Sequence, residues 1–131
     1  MSTWKAKRFW KTATPEPVDG GFSVFLDGRP IRTPAKSALV LPTMGFAELV
    51  ASEWQAQTEI VNPETMPATK TANAAIDKVA VQKTEVADML AAYGESDLLC
   101  YRATSPAELV AVQAAEWDPY LEWSETALDA R

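Results

Sequence analysis

Histidine is absent from this chain, which removes histidine-based nucleophilic triads and most zinc sites. Cysteine occurs once, at Cys100, so no internal disulfide can form, as fits a reducing compartment. Lying among Leu98, Leu99 and Tyr101, that thiol reads as a small hydrophobe rather than a nucleophile. Glycine is sparse, and none of the five is spaced as a phosphate-cradling loop or a dinucleotide fingerprint. No apolar run approaches the ~20 residues of a membrane span, and the amino terminus lacks the apolar core of a signal peptide. Positive charge is also short. Twelve Lys and Arg face eighteen Asp and Glu, a net −6, without the basic stripe that nucleic acid requires. The one basic cluster, Lys5, Lys7, Arg8 and Lys11, is interleaved with Trp4, Phe9 and Trp10. It reads as a twisted edge strand with solvated lysines. These absences describe a cytoplasmic protein that uses no cofactor or metal, binds no nucleic acid and does not insert into membrane.

What is present is enough to fold. The 131 residues are 47% apolar and 23% charged, the make-up of one soluble domain that buries about two-thirds of its unfolded surface. Residues 6–14 alternate weakly and stop at Pro15-Glu16-Pro17, which reads as a stiff spacer. Gly20-Gly21 marks a turn. Phe22, Val24 and Leu26 then share one face of a strand that ends at Asp27-Gly28, a tight hairpin dipeptide. Arg29 to Thr33 is the return strand, with Pro30 confining it to an edge or bulge. Ala38 to Leu41 is one strand more. Such a meander is stable only if its apolar face is covered.

The cover starts at Thr43, which can cap a helix running to about Glu59 with Phe46, Leu49, Val50 and Trp54 on one stripe. Glu53 and Gln57 fall near the middle of that stripe. Two readings are open for them: a half-buried carboxylate satisfied by a backbone N–H or an arginine, or polar anchors of a partner-binding surface. After a loop at Asn62-Pro63 and Met66-Pro67, residues 69–93 read as helix broken near Val81–Lys83, with Gly94 at the C′ position. Val86, Met89, Leu90 and Tyr93 form its second stripe. Asn73 and Asp77, four apart, read as solvated. Residues 97–102 suit either a strand or a helical turn. Ser105-Pro106-Ala107-Glu108 reads as a helix start, with Ser105 as the cap and Glu108 reaching back to it. Asp118-Pro119 either kinks that helix or opens another. With Tyr101, Trp117, Tyr120 and Trp123, residues 95–123 are expected to lock the helices onto the β layer, and Trp54 and Trp117 to lie mainly in the core.

Several stretches in order resemble one family: Gly21-Phe22 through Asp27-Gly28-Arg29-Pro30 with Thr33-Pro34, Glu53-Trp54 with Gln57, and Met66-Pro67-Ala68-Thr69. Asp97 through Arg102 and Glu116-Trp117-Asp118-Pro119 with Trp123 complete the series. Together they resemble the assembly chaperones of F-type ATP synthase that attend the alpha subunit. That resemblance implies a bacterial, non-enzymatic holder with mitochondrial relatives. It would bind free alpha subunit, shield the beta-facing surface and yield it as the hexamer assembles, needing only an affinity below that of the proper partner. Family chains continue into a further helical half. The resemblance therefore implies an apolar face where those helices would pack, and self-association through it.

The resulting reading is an α+β fold: an antiparallel β region over 1–42 and an α-helical region over 43–131, packed as one unit. Expected partner contacts are Glu53 and Gln57 from helical geometry, and Arg29 and Arg102 because the motifs include them. Two other readings remain. One is a small acidic hydrolase whose carboxylates meet only in space; the other is a protein-interaction module with a different partner.

Overall fold

The computed structural model describes residues 6–130, so Trp4 and Lys5 of the amino-terminal cluster lie outside the described residues. The architecture is α+β, a three-stranded antiparallel sheet followed by helices. The described residues form two compact units that divide between Lys83 and Thr84, a boundary inside the region read as helical.

In the first unit, β1 (Ala13–Val18), β2 (Gly21–Leu26) and β3 (Arg29–Pro30) lie side by side in that order. The hairpin turn is as read: Asp27 at φ 49° and Gly28 at φ 82° supply the two positive angles of a two-residue turn. Pro15-Glu16-Pro17 is a strand, not a spacer. Asp27 donates its backbone N–H to the Thr12 carbonyl at 3.1 Å, and Pro15 pairs with Val24 and Pro17 with Phe22. Along an alternating antiparallel ladder, both prolines thus occupy the non-hydrogen-bonded positions of an edge strand. Their missing N–H groups cost the sheet nothing. Residues 7–10 are not a regular strand; Lys7 forms one bridge to Ile60. The return and fourth strands are shorter than expected. Beyond β3 only single bridges remain, Arg32 to Ala38 and Phe22 to Leu41.

Helix α1 (Met44–Gln55) begins where the sequence says, with Thr43 Oγ1 accepting from the Phe46 N–H at 3.2 Å. It ends at Gln55, four residues early. Its buried face is Ala47, Val50 and Ala51, while Leu49, placed on the stripe by the sequence, is exposed. Small residues let the helix lie close to the sheet. Val24, Leu39 and Val50 are fully buried there, each contributing about 1.5–3 kcal/mol. Trp10 is buried beside Trp54, ring centroids 5.2 Å apart, and donates its indole N–H to the Trp54 carbonyl at 3.3 Å. Trp54 is half-buried and packs against this core.

Helix α2 (Pro67–Ala74) passes into a π-type turn at Ala75–Val79 and a 3₁₀ turn at Ala80–Gln82 before α3 (Lys83–Ala91). The expected break is therefore real. Gly94 does not terminate α3 in a left-handed conformation. It lies inside a 3₁₀ turn, Ala92–Glu95, and is not among the glycines with positive φ.

In the second unit, residues 97–102 form a turn in which the Cys100 and Tyr101 N–H groups both donate to the Asp97 carbonyl, at 3.0 and 2.7 Å. Helix α4 (Ala107–Leu128) starts one residue later than read, with Pro106 rather than Ser105 at the cap and no side-chain capping bond from Glu108. It runs through Pro119 as one helix. No residue from 84 to 130 is buried. Within the first unit, Trp10, Trp54 and α1 cover the β layer, and Trp117 of the second unit is half-buried rather than core.

Candidate partner-binding surface

Pro67 opens α2 without an N–H, so Ala68 and Thr69 present its first free donors, and the capping residue Met66 offers no acceptor side chain. Glu53 supplies it from α1. One carboxylate oxygen accepts from the Ala68 N–H at 2.6 Å; the other accepts from the Thr69 N–H at 2.8 Å and the Thr69 hydroxyl at 2.6 Å. A carboxylate at a helix N-terminus is also favoured by the helix dipole. Of the sequence alternatives for Glu53, satisfaction by backbone N–H groups is the one the geometry contains.

Gln57, one turn on, is buried. Its amide nitrogen donates to the Glu53 carbonyl at 3.0 Å and to Thr65 Oγ1 at 3.1 Å, and its oxygen accepts from the Asn62 N–H at 2.7 Å. The pair therefore fixes the α1–α2 corner. Arg29 is exposed beside the hairpin turn. Arg102 lies in the second unit. Its Nε donates to the Leu99 carbonyl at 2.5 Å, Nη1 to Asp118 Oδ1 at 2.8 Å, and the guanidinium stacks 5.3 Å from the Trp117 ring centre. The structure thus brings Glu53 and Gln57 together.

Three further polar residues make contacts that the sequence did not foretell. Arg8 donates to the carbonyls of Trp10 at 3.0 Å, Gln55 at 2.9 Å, Lys11 at 3.1 Å and, by a short bond, Gln57. Two of its acceptors, Gln55 and Gln57, are backbone oxygens nearly fifty residues away, which no side-chain pattern announces. Asp77 is not merely solvated: it accepts from the Thr33 hydroxyl at 2.7 Å and the Ala35 N–H at 3.2 Å. Asp27, read only as a turn residue, accepts from the Lys11 and Thr12 N–H groups. Hydrogen bonds from the Thr12 and then the Lys11 backbone hold its carboxyl below the usual range. These hydrogen-bonded acids serve separate places, and among the described residues no three Cys, Asp or Glu side chains gather as a metal-holding group.

The second unit is different in kind. Leu98, Tyr101, Tyr120 and Trp123 are all more than half exposed, as are Met89, Leu90 and Tyr93 of the stripe read on 86–93. Among the described residues no helix is long and apolar enough to cross a membrane. Exposed apolar side chains at this density are a feature shared by interaction surfaces.

A family profile described as ATP12 chaperone protein matches residues 7–125. Among solved structures, Atp12 of Paracoccus denitrificans is 50% identical with a TM-score of 0.75, the match covering 95% of this chain and 54% of that one. A mutant of the same protein matches at 50% identity and a TM-score of 0.75, over 95% and 53%. A protein of Agrobacterium tumefaciens is 47% identical with a TM-score of 0.71, over 97% of this chain and 48% of that one. The chain spans about half the length of these relatives.

Proposed function

Because the chain belongs to the ATP12 chaperone family, the assembly chaperones of F-type ATP synthase, we propose that it binds the free alpha subunit of the catalytic sector. It shields the beta-facing surface of that subunit until the hexamer forms, by holding and without catalysis, in the bacterial cytoplasm. The observation that carries this reading is the family match over residues 7–125. The exposed apolar and aromatic side chains of residues 89–128 support it, since a holder must meet an interface that is itself apolar at its centre. Arg29 is proposed as a direct contact. Glu53, Gln57 and Arg102 are proposed to take part through the segments they hold in place.

Light scattering from isolated alpha subunit tests the reading. Addition of this chain at equimolar ratio, without ATP, is expected to suppress aggregation. Unchanged scattering, with this chain and also with one extended to the length of its relatives, overturns the assignment. The same exposed residues favour association of two copies. Sedimentation velocity across a hundredfold concentration range reads this directly: a rising sedimentation coefficient supports it and a constant one rejects it.

A further inference from the structure

A groove of about 340 Å³ lies in the first unit, walled by Phe9, Leu26, Ile31 and Trp54 and bordered by Arg29 and Arg32. Phe9 is 71% exposed yet held in place, its ring edge-on to Trp10 with centroids 5.1 Å apart. The two arginines form no ion pair among the described residues. The nearby acids are engaged elsewhere: Asp27 with Lys11 and Thr12, Asp77 with Thr33 and Ala35. Arg32 Nη1 donates to the Lys36 carbonyl at 3.0 Å, a neutral acceptor that leaves its charge uncompensated. In a chain of net charge −6, two guanidiniums without a carboxylate partner among the described residues form a local positive mouth beside an aromatic wall.

We infer that this groove binds an extended peptide segment that places carboxylates next to large apolar side chains. The apolar groups pack between Phe9 and Trp54, and the carboxylates meet Arg29 and Arg32. Charge complementarity selects this occupant: guanidinium pairs carboxylates with two donors in one plane, whereas a basic or neutral apolar segment leaves both positive charges without a counter-charge. The inference rests on the holding role for its setting, since it specifies the kind of partner segment the first unit takes.

The probe is a fluorescein-labelled decapeptide alternating aspartate with leucine and phenylalanine, titrated with the 131-residue chain and followed by anisotropy. Binding is expected to weaken about tenfold in an R29Q/R32Q double variant and by a similar factor in F9A, the scale of one or two partly exposed contacts. All three substituted side chains are exposed, and coincident urea curves for variants and parent establish that the fold is retained. An asparagine-for-aspartate peptide is expected to bind correspondingly less. Equal binding of that control, or unchanged binding by the variants, overturns the inference. So does a concentration-dependent dimer abolished by F9A, which would make a second copy the occupant. Light scattering on alpha subunit with the same variants separates the two readings. If the parent chain fails to hold alpha while peptide binding keeps its arginine dependence, the holding role falls and the groove stands. If alpha is held while the peptide is indifferent to R29Q/R32Q, the groove falls alone.

Discussion

Glu53 and Thr69 are joined twice through one carboxylate oxygen, which accepts both the backbone N–H of Thr69 at 2.8 Å and its hydroxyl at 2.6 Å. The link spans sixteen residues and ties the end of α1 to the start of α2. It is the helix cap that α2 does not carry in its own sequence. Glu53→Ala removes three accepted hydrogen bonds and leaves two helix donors without a protein partner. The expected loss is about 2–3 kcal/mol, read from urea denaturation midpoints. Thr69→Val, which removes only the hydroxyl bond, is expected to lose about 1 kcal/mol. Equal midpoints for the parent chain and Glu53→Ala would show that the cap is not holding the corner.

Trp54 and Trp117 separate in the same assay. Trp54 is half-buried against the core and touches Trp10, so alanine there is expected to cost about 2–4 kcal/mol, toward the lower part of the range for buried tryptophan. Trp117 meets the Arg102 guanidinium without entering a buried cluster. Its replacement by alanine is expected to cost about 1 kcal/mol or less. Comparable losses at the two positions would contradict this order.

Gly21 allows the β2 strand to meet Leu41. A Cβ there would collide with the Leu41 carbonyl oxygen, whose bond from the Phe22 N–H is 2.9 Å and is returned by Leu41 N–H to the Phe22 carbonyl at 2.7 Å. Gly21→Ala is expected to cost about 2 kcal/mol or more. Gly20, with nothing near its missing Cβ, is restricted only by its φ of 83°. Thermal unfolding of the two alanine variants checks the expected order, with Gly21→Ala melting lower.

Asp27 gives the chain a pH dependence of definite sign. Its folded carboxyl titrates below the ordinary range because the Thr12 and Lys11 backbone N–H groups donate to it. A depressed folded value means stability present above the unfolded pKa of about 3.9 and lost as pH falls through the folded value. Asp27→Asn is therefore expected to lower the melting temperature at pH 7. The difference from the parent chain should narrow below about pH 4 as the parent's own carboxylate protonates. A difference that stays constant from neutral to acid would exclude the ionised carboxylate as its source.

Arg102 and Asp118 should couple weakly in stability and clearly in local order. Their side chains are 26% and 51% exposed, so a double-mutant cycle is expected to return at most about 1 kcal/mol. Arg102→Lys keeps the charge and loses the fork that serves Leu99 and Asp118 together. Faster amide exchange at Cys100 and Tyr101 in that variant is the expected signature, and unchanged exchange would rule the clamp out.

Local chemistry was legible wherever neighbours in the chain decide it. Asp27-Gly28 needs only two tolerant backbones to turn, and Thr43 needs only the N–H three residues on. The resemblance carried by short motifs likewise led from residues to family. The error over Pro15-Glu16-Pro17 shows the limit: prolines forbid a central strand, and only the strand order reveals that this one lies at an edge with both nitrogens turned outward. Periodicity placed Glu53 correctly on the inward face but could not name Ala68 and Thr69 as its donors. The aromatic count of residues 95–123 suggested a core, yet these side chains are exposed or half-buried, and composition is the same for an aromatic that is buried and one that is not.

By itself, then, the amino-acid order determined the α+β class, the hairpin, the start of α1 and the family, because each depends on spacing along the chain or on residue identity. Only the tertiary structure decided that α1 with Trp10 closes the β layer of the first unit, that Glu53 caps a helix it does not belong to, and that Arg29 and Arg32 border one apolar groove. Those relationships join groups distant in sequence. Their energies arise from burial and direction in space, which no local pattern encodes.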